Sequence, residues 1–223
     1  MSLTYTLIYF SIMGAILTLT HFPPALVWYF VAFTMGGIPF GWILAKLFGK
    51  VDVKEVGSGN IGATNVYRAL KERDPKRAKL IGGATLLLDA LKGAIPLLIA
   101  KLMGVCDAVL WGIALFAVLG HCFSPFLKFE GGKGVATTAG VLAVLIPKAF
   151  LVGVVVWFLV LKTTRYSSLA SLTGLAVGAI AYLFLYPNPP IQSSVPIWLI
   201  LAVVYYKHWG NIVRLLTGRE SKV

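Results

Sequence analysis

Gly131, Gly132, Lys133 and Gly134 sit in the stretch GHCFSPFLKFEGGKGVATTAG, residues 120–140, directly before an apolar segment with helical character. Glycines free the backbone N–H groups to turn toward an anion, and a following helix start adds partial positive charge. Lys133 supplies a full charge. The pattern is not a Walker A loop, because Gly134 rather than Ser or Thr follows the lysine and Leu127 stands five residues before Gly132. Taken alone, GGKG is compatible with either a phosphate cradle or a flexible link between helices.

A second constellation is GSGNIGATNVYR, residues 57–68. Its glycines, Ser58, Thr64, Asn60 and Asn65 offer small donors to an oxyanion, and Asn65 and Arg68 are spaced to share a helix face. Arg68 grips phosphate in bidentate fashion better than lysine could. A capped turn leading into a surface helix explains the same residues equally well. Asp89 and Lys92 interrupt the apolar run LLLDALKGAIP, where charge must be paired or face a polar cavity. His121 opens the glycine-loop stretch. Near the C-terminus, Arg214, Arg219 and Lys222 are basic residues that membrane topology alone would require, whereas Asn211 and Glu220 are not.

The elements that must position these residues are set by the solvent. Hydrophobic residues make up 58% of the 223, mean hydropathy is +0.85, and apolar runs approach the roughly 20 residues that cross a bilayer. The chain reads as an all-α, polytopic membrane protein. The net charge of +12 does not indicate nucleic acid, since the basic residues lie between apolar runs, which suits anionic lipid or substrate. Cys106 and Cys122 have neither metal-ligand nor disulfide spacing.

Eight apolar segments are expected. Residues 3–20 read as a membrane helix rather than a signal peptide, lacking a basic leader region and a small-residue cleavage site. Residues 25–48 follow, broken at Gly36-Gly37-Ile38-Pro39, and the remaining segments begin near residues 80, 108, 135, 148, 167 and 195. The segment at 135–146 is too short to span unless the glycine loop dips inward. With both termini cytoplasmic, nearly every Lys and Arg falls on one face, leaving Lys101 and Lys148 on the other. The unusual polar sequence all converges on the cytoplasmic side.

In order along the chain, SGNIGATNVYR (58–68), LLLDALKG (86–93), GHCFSPFLKFEGGKGVAT (120–137), RYSSLAS (165–171) and HWGNIVRLLTGRE (208–220) resemble the PlsY family of membrane acyl-phosphate:glycerol-3-phosphate acyltransferases. The resemblance extends over residues 26–222. It implies a seven-helix enzyme of the bacterial inner membrane with its site open to the cytoplasm, needing no metal or other cofactor. Such an enzyme moves a fatty acyl group from acyl phosphate to the 1-hydroxyl of glycerol 3-phosphate, giving lysophosphatidic acid and phosphate. Residues 25–223 match the seven-helix domain, and residues 1–24 look like an additional transmembrane helix and turn.

Carried over residue by residue, the resemblance implies functional roles for Ser58 and Arg68 in the first motif, Gly131, Gly132, Lys133 and Gly134 in the second, and Asn211 and Glu220 in the third. Asp89, His121, Ser168 and His208 are further candidates for the same pocket, with Asn60, Thr64 and Asn65 as substrate-binding residues of the first motif. Gly37 stands where the family usually has serine, and Trp209-Gly210 replaces a more polar pair. The residues five after His21, His121 and His208 are Leu26, Phe126 and Val213, so the His-x4-Asp dyad of acyl-CoA-dependent acyltransferases is missing. No serine or cysteine has an evident His/Asp relay, which argues against an acyl-enzyme. On residue types alone, a phosphate or organic-anion transporter and a lipid-binding scaffold are alternatives. The one-sided polar motifs disfavour the transporter, and Asp89, Asn211 and Glu220 have no purpose in the scaffold.

Overall fold

Gly36 and Gly120 explain how the two helices that carry them meet. A Cβ on Gly36 would strike the backbone of Ala117, and one on Gly120 would strike the carbonyl of Phe33, so here the two backbones touch. These helices are α1 (Pro24–Gly37) and α5 (Asp107–Cys122) of a computed structural model that describes residues 7–9, 11, 24–189, 191 and 193–223. Between and after them come α2 (Phe40–Phe48), α3 (Ala63–Lys71), α4 (Pro75–Leu102), α6 (Val135–Leu145), α7 (Pro147–Thr164), α8 (Ser167–Leu185), α9 (Val195–Lys207) and α10 (Trp209–Leu216). All regular structure among the described residues is helical.

Among the described residues, five apolar helical segments are long enough to cross a membrane: Pro24–Phe48 taken through its break, Pro75–Leu102, Asp107–Leu127, Pro147–Thr164 and Ser167–Leu185. With the shorter apolar helices Val135–Leu145 and Val195–Lys207 they make seven apolar segments from Pro24 onward. The expected additional span at residues 3–20 lies largely outside the described residues. Of it, residues 7–9 and 11 are helical, and Tyr9 stacks on Phe30 at 5.7 Å and shares a 3.2 Å hydrogen bond with Thr34.

Helix α5 is the axis of the core. Its Ile113, Ala114, Ala117 and Val118 are completely buried, packed with Leu97 of α4, Val141 of α6 and Val204 of α9. Helix α7 is the opposite case, turning Leu151, Val155, Phe158 and Leu159 outward as a lipid-facing side should. It holds the bundle through α8, where Gly153 and Gly174 bring the backbones together. A second small core gathers Val53, Ile61, Val66, Leu70 and Leu127 under the loop between α2 and α3. That core fixes the first polar motif to the start of α4, whose N-cap Asp74 accepts a 3.0 Å hydrogen bond from the Arg77 N–H.

Helix α6 has 11 residues, about 16 Å at 1.5 Å each, which is roughly half a bilayer.

Candidate active site

After α5 the chain makes a 3-10 turn at Pro125–Leu127, and then Lys128 and Phe129 both adopt left-handed backbone, φ 56° and 62°. These two residues swing Gly131–Gly134 back along the last turn of α5. The Gly132 N–H donates to the His121 carbonyl at 3.0 Å, and a Cβ on Gly132 would collide with the His121 imidazole. Gly134, at φ 84°, then starts α6, whose first N–H groups have no acceptor within the helix. The glycines are thus required by close approach to α5 as much as by any ligand.

Lys133 projects from this loop into a group of charges. Burial pushes its ammonium pKa down to about 8, helped by Arg214 and Arg68 and opposed by Glu220. Glu220 is the hub of that group. One carboxylate oxygen accepts from Ser168 Oγ at 3.0 Å and Asn211 Nδ2 at 2.8 Å, and the other accepts from Arg214 Nε at 2.9 Å. Burial alone would raise its pKa, but these three hydrogen bonds outweigh it and hold the carboxyl below its ordinary range. Residues from α8, α10 and the C-terminal segment are thereby tied to one point.

His208 caps α9 beside this hub. Its Nδ1 lies 2.8 Å from the Val204 carbonyl, so Nδ1 carries the proton and Nε2 is left as an acceptor. Burial and nearby Lys133 push its pKa down to about 4, against the Val204 bond and Glu220. It is a neutral imidazole at physiological pH. Arg68 reaches the same region from α3, with Nη2 donating to the Ser221 carbonyl at 2.8 Å and Nε buried without a partner among the described residues. Lys133, Arg68 and Arg214 set three positive charges against the single negative charge of Glu220. That surplus favours an anionic ligand.

The first motif divides its labour. Asn65 is 3% exposed, and its amide donates to the carbonyls of Val53, Val56 and Asn60 at 2.8–3.0 Å while accepting from the Ser58 N–H at 3.0 Å. Although Asn65 has the types expected of a substrate ligand, these bonds commit it to shaping the loop. Asn60 closes a turn onto the Gly62 N–H at 2.8 Å, Thr64 meets Ser167 of α8 at 3.2 Å, and Ser58 stands exposed on the loop. Lys54 and Glu130, 3.0 Å apart, tie this loop to the glycine loop at the surface.

Asp89 does not join the Glu220 group. It pairs with Lys92 at 2.8 Å, both 2–3% exposed, with His121 Nδ1 3.8 Å away. Lys92 Nζ donates to the Ile38 carbonyl at 2.7 Å, and Ser124 Oγ to the Gly37 carbonyl at 2.6 Å. These are the carbonyls released by the break between α1 and α2, so this inner cluster satisfies an interrupted membrane helix. Thr137 Oγ1, at the start of α6, donates to the Asp89 carbonyl at 2.9 Å.

The structure therefore gathers Lys133, Arg68, Glu220, Asn211, Ser168 and His208 together, and keeps Asp89 and His121 in a second group behind Gly132. Arg214, which membrane topology alone would explain, belongs to the first group as well. Arg214 lies one helical turn from Asn211 on α10, and that spacing was the available signal.

The family model for glycerol-3-phosphate acyltransferase matches residues 26–218. Proteins named glycerol-3-phosphate acyltransferase from Wolinella succinogenes and Nitratiruptor sp. are 51% and 54% identical to this chain, covering 90% of it and 97% and 96% of their own lengths. A crystal structure of PlsY, described as an integral membrane glycerol 3-phosphate acyltransferase in its glycerol 3-phosphate form, superposes with a TM-score of 0.81 at 41% identity, covering 90% of this chain and 96% of that one. The lysophosphatidic acid form of PlsY gives 0.79 at the same identity, covering 90% of this chain and 95% of that one.

Proposed function

Given that this chain belongs to the glycerol-3-phosphate acyltransferase family, and is a multi-pass membrane acyltransferase, we propose that its acyl donor is acyl phosphate and that its site opens to the cytoplasm at the bacterial inner membrane. The acceptor is glycerol 3-phosphate, and the products are lysophosphatidic acid and inorganic phosphate. The observation that carries this reading is the surplus of positive charge around Lys133, beside a glycine loop and the start of α6. Two phosphate-bearing substrates need such a site, and an apolar bundle beside it suits an acyl chain.

In the reaction the 1-hydroxyl oxygen attacks the acyl carbonyl carbon, the carbon–oxygen bond to phosphate breaks, and the hydroxyl proton passes to the departing phosphate. An acyl phosphate is already activated, so alignment and charge stabilisation are the main requirements. Lys133, with the N–H groups of Gly131–Gly134, holds phosphate, and Arg68 and Ser58 form the second anion subsite. Glu220 with Asn211 and Ser168 fixes the wall between them, and His208 Nε2 accepts a substrate hydroxyl. Support for the substrate's own phosphate as proton acceptor comes from the burial of His121, which is 3% exposed with Gly132 packed against its Nε2 edge. The cytoplasmic orientation rests on the Lys and Arg asymmetry. Residues 25–223 form the catalytic unit and 1–24 an addition to it, in keeping with a family match that begins at residue 26.

The test uses purified protein with palmitoyl phosphate and glycerol 3-phosphate, following phosphate and lysophosphatidic acid together. Equimolar release of both is expected, with no product when acyl-CoA replaces acyl phosphate. Turnover with acyl-CoA, or no phosphate from folded protein that binds glycerol 3-phosphate, would overturn the donor assignment. The transporter alternative gains no support from the relatives, which are named as acyltransferases.

A further inference from the structure

We infer that residues 219–223 act as a positioning strap that aims Arg68 into the site. The strap begins with a defined turn. Gly218 is left-handed at φ 68°, the Arg219 N–H donates to the Arg214 carbonyl at 2.8 Å and the Gly218 N–H to the Leu215 carbonyl at 3.3 Å, closing α10 with a Schellman motif. From there every residue is anchored. Glu220 enters the hub, the Ser221 carbonyl accepts from Arg68, Lys222 lies 5.6 Å over the Tyr166 ring, and the Val223 N–H donates to the Arg165 carbonyl at 2.9 Å. Arg165 itself is left-handed at the end of α7, φ 62°, which presents its carbonyl to the strap.

The contact on Arg68 has a chemical logic. A backbone carbonyl is neutral, so it holds one edge of the guanidinium without cancelling the charge, as a carboxylate would. The Nε–H is buried and unpartnered, and an acceptor brought by a substrate would satisfy it. The strap thus fixes the direction of a cation that the first motif supplies. The inference rests on the proposal that Arg68 binds a substrate phosphate.

The experiment replaces Ser221-Lys222-Val223 with Gly-Gly-Gly, keeping the chain length and the Glu220 hub. KM is read for glycerol 3-phosphate and for acyl phosphate in turn. One of the two KM values is expected to rise roughly five- to tenfold, the worth of one ordinary solvent-exposed hydrogen bond, with kcat within about twofold. Arg68→Lys in the full chain should raise the same KM, and combining it with the glycine tail should add nothing further. Ser221→Ala keeps the carbonyl and should behave as the parent. Lys222→Ala, which loosens the strap without softening its backbone, should raise the same KM by about twofold. An unchanged KM in the glycine-tail protein, a loss in kcat alone, or additivity with Arg68→Lys would overturn the strap. If Arg68→Lys leaves both KM values unchanged while the glycine tail raises one, the phosphate role of Arg68 fails and the strap as its aiming device fails with it.

Discussion

Two charge clusters meet at Gly132 and are built on opposite rules. The inner one pairs Asp89 with Lys92 at 2.8 Å, and Lys92 has a further acceptor in the Ile38 carbonyl. The outer one surrounds Glu220 with Lys133, Arg68 and Arg214, and no hydrogen bond among the described residues ends on Lys133 Nζ. Charge that supports the fold is balanced within the protein, because a bare ion in the apolar interior costs several kcal/mol. In the proposed phosphate site, by contrast, positive charge is left in excess and partly open to solvent. The difference separates scaffold from site more sharply than residue type does, since both clusters contain a lysine, a carboxylate and a histidine.

The largest effect expected follows from breaking the balanced cluster. Lys92→Met leaves Asp89 buried without its cation and takes the shorter of two hydrogen bonds from the Ile38 carbonyl, and should lower stability by about 3–5 kcal/mol, read from thermal or denaturant unfolding in detergent. Lys92→Met with Asp89→Asn should recover part of that loss. If the single substitution is silent in unfolding but lowers activity, the inner cluster belongs to the site and the comparison fails.

Lys133→Ala should do the reverse, leaving unfolding unchanged and reducing kcat/KM by about 10²–10³-fold through lost phosphate stabilisation. Normal acyl-phosphate turnover in this variant would refute the site assignment. A pH profile sharpens the point. With its pKa held down to about 8, Lys133 is charged below that value and loses its charge as pH rises through it. The kcat/KM value, which reports the free enzyme, should therefore fall above pH 8, and Lys133→Arg should flatten that fall.

These contrasts also explain what could be read from the sequence. The break at Ile38-Pro39 was legible, because paired glycines before a proline interrupt a helix by local chemistry alone. Its repair was not, since Lys92 and Ser124 lie 54 and 87 residues away from the carbonyls they satisfy. The glycine loop was visible as a run of one residue type beside a lysine. Arg214 was hidden, because membrane topology demands basic residues at that end of the chain whether or not they act. Asn65 was expected to face a ligand, and nothing in an amide's identity says that it will instead hold its own loop. Least legible of all is the Ser221 carbonyl, since every residue has one.

His121 stands at the junction of the two clusters and provides the finest test. Its Nδ1 is 3.8 Å from Asp89, and its imidazole lies against Gly132, two features of a spacer that holds the glycine loop off the inner cluster. A spacer should tolerate a side chain of similar reach, so His121→Gln is expected to keep kcat within about tenfold, with any loss arising from a shifted loop and shared by KM. A general base would behave differently, because proton transfer by a positioned side chain contributes about 10²–10⁴-fold to the chemical step. Loss of that size in kcat, with substrate binding intact, would move His121 from the scaffold to the chemistry and remove the substrate phosphate as proton acceptor. A loss below tenfold, shared with KM, would leave the boundary between the two clusters at Gly132.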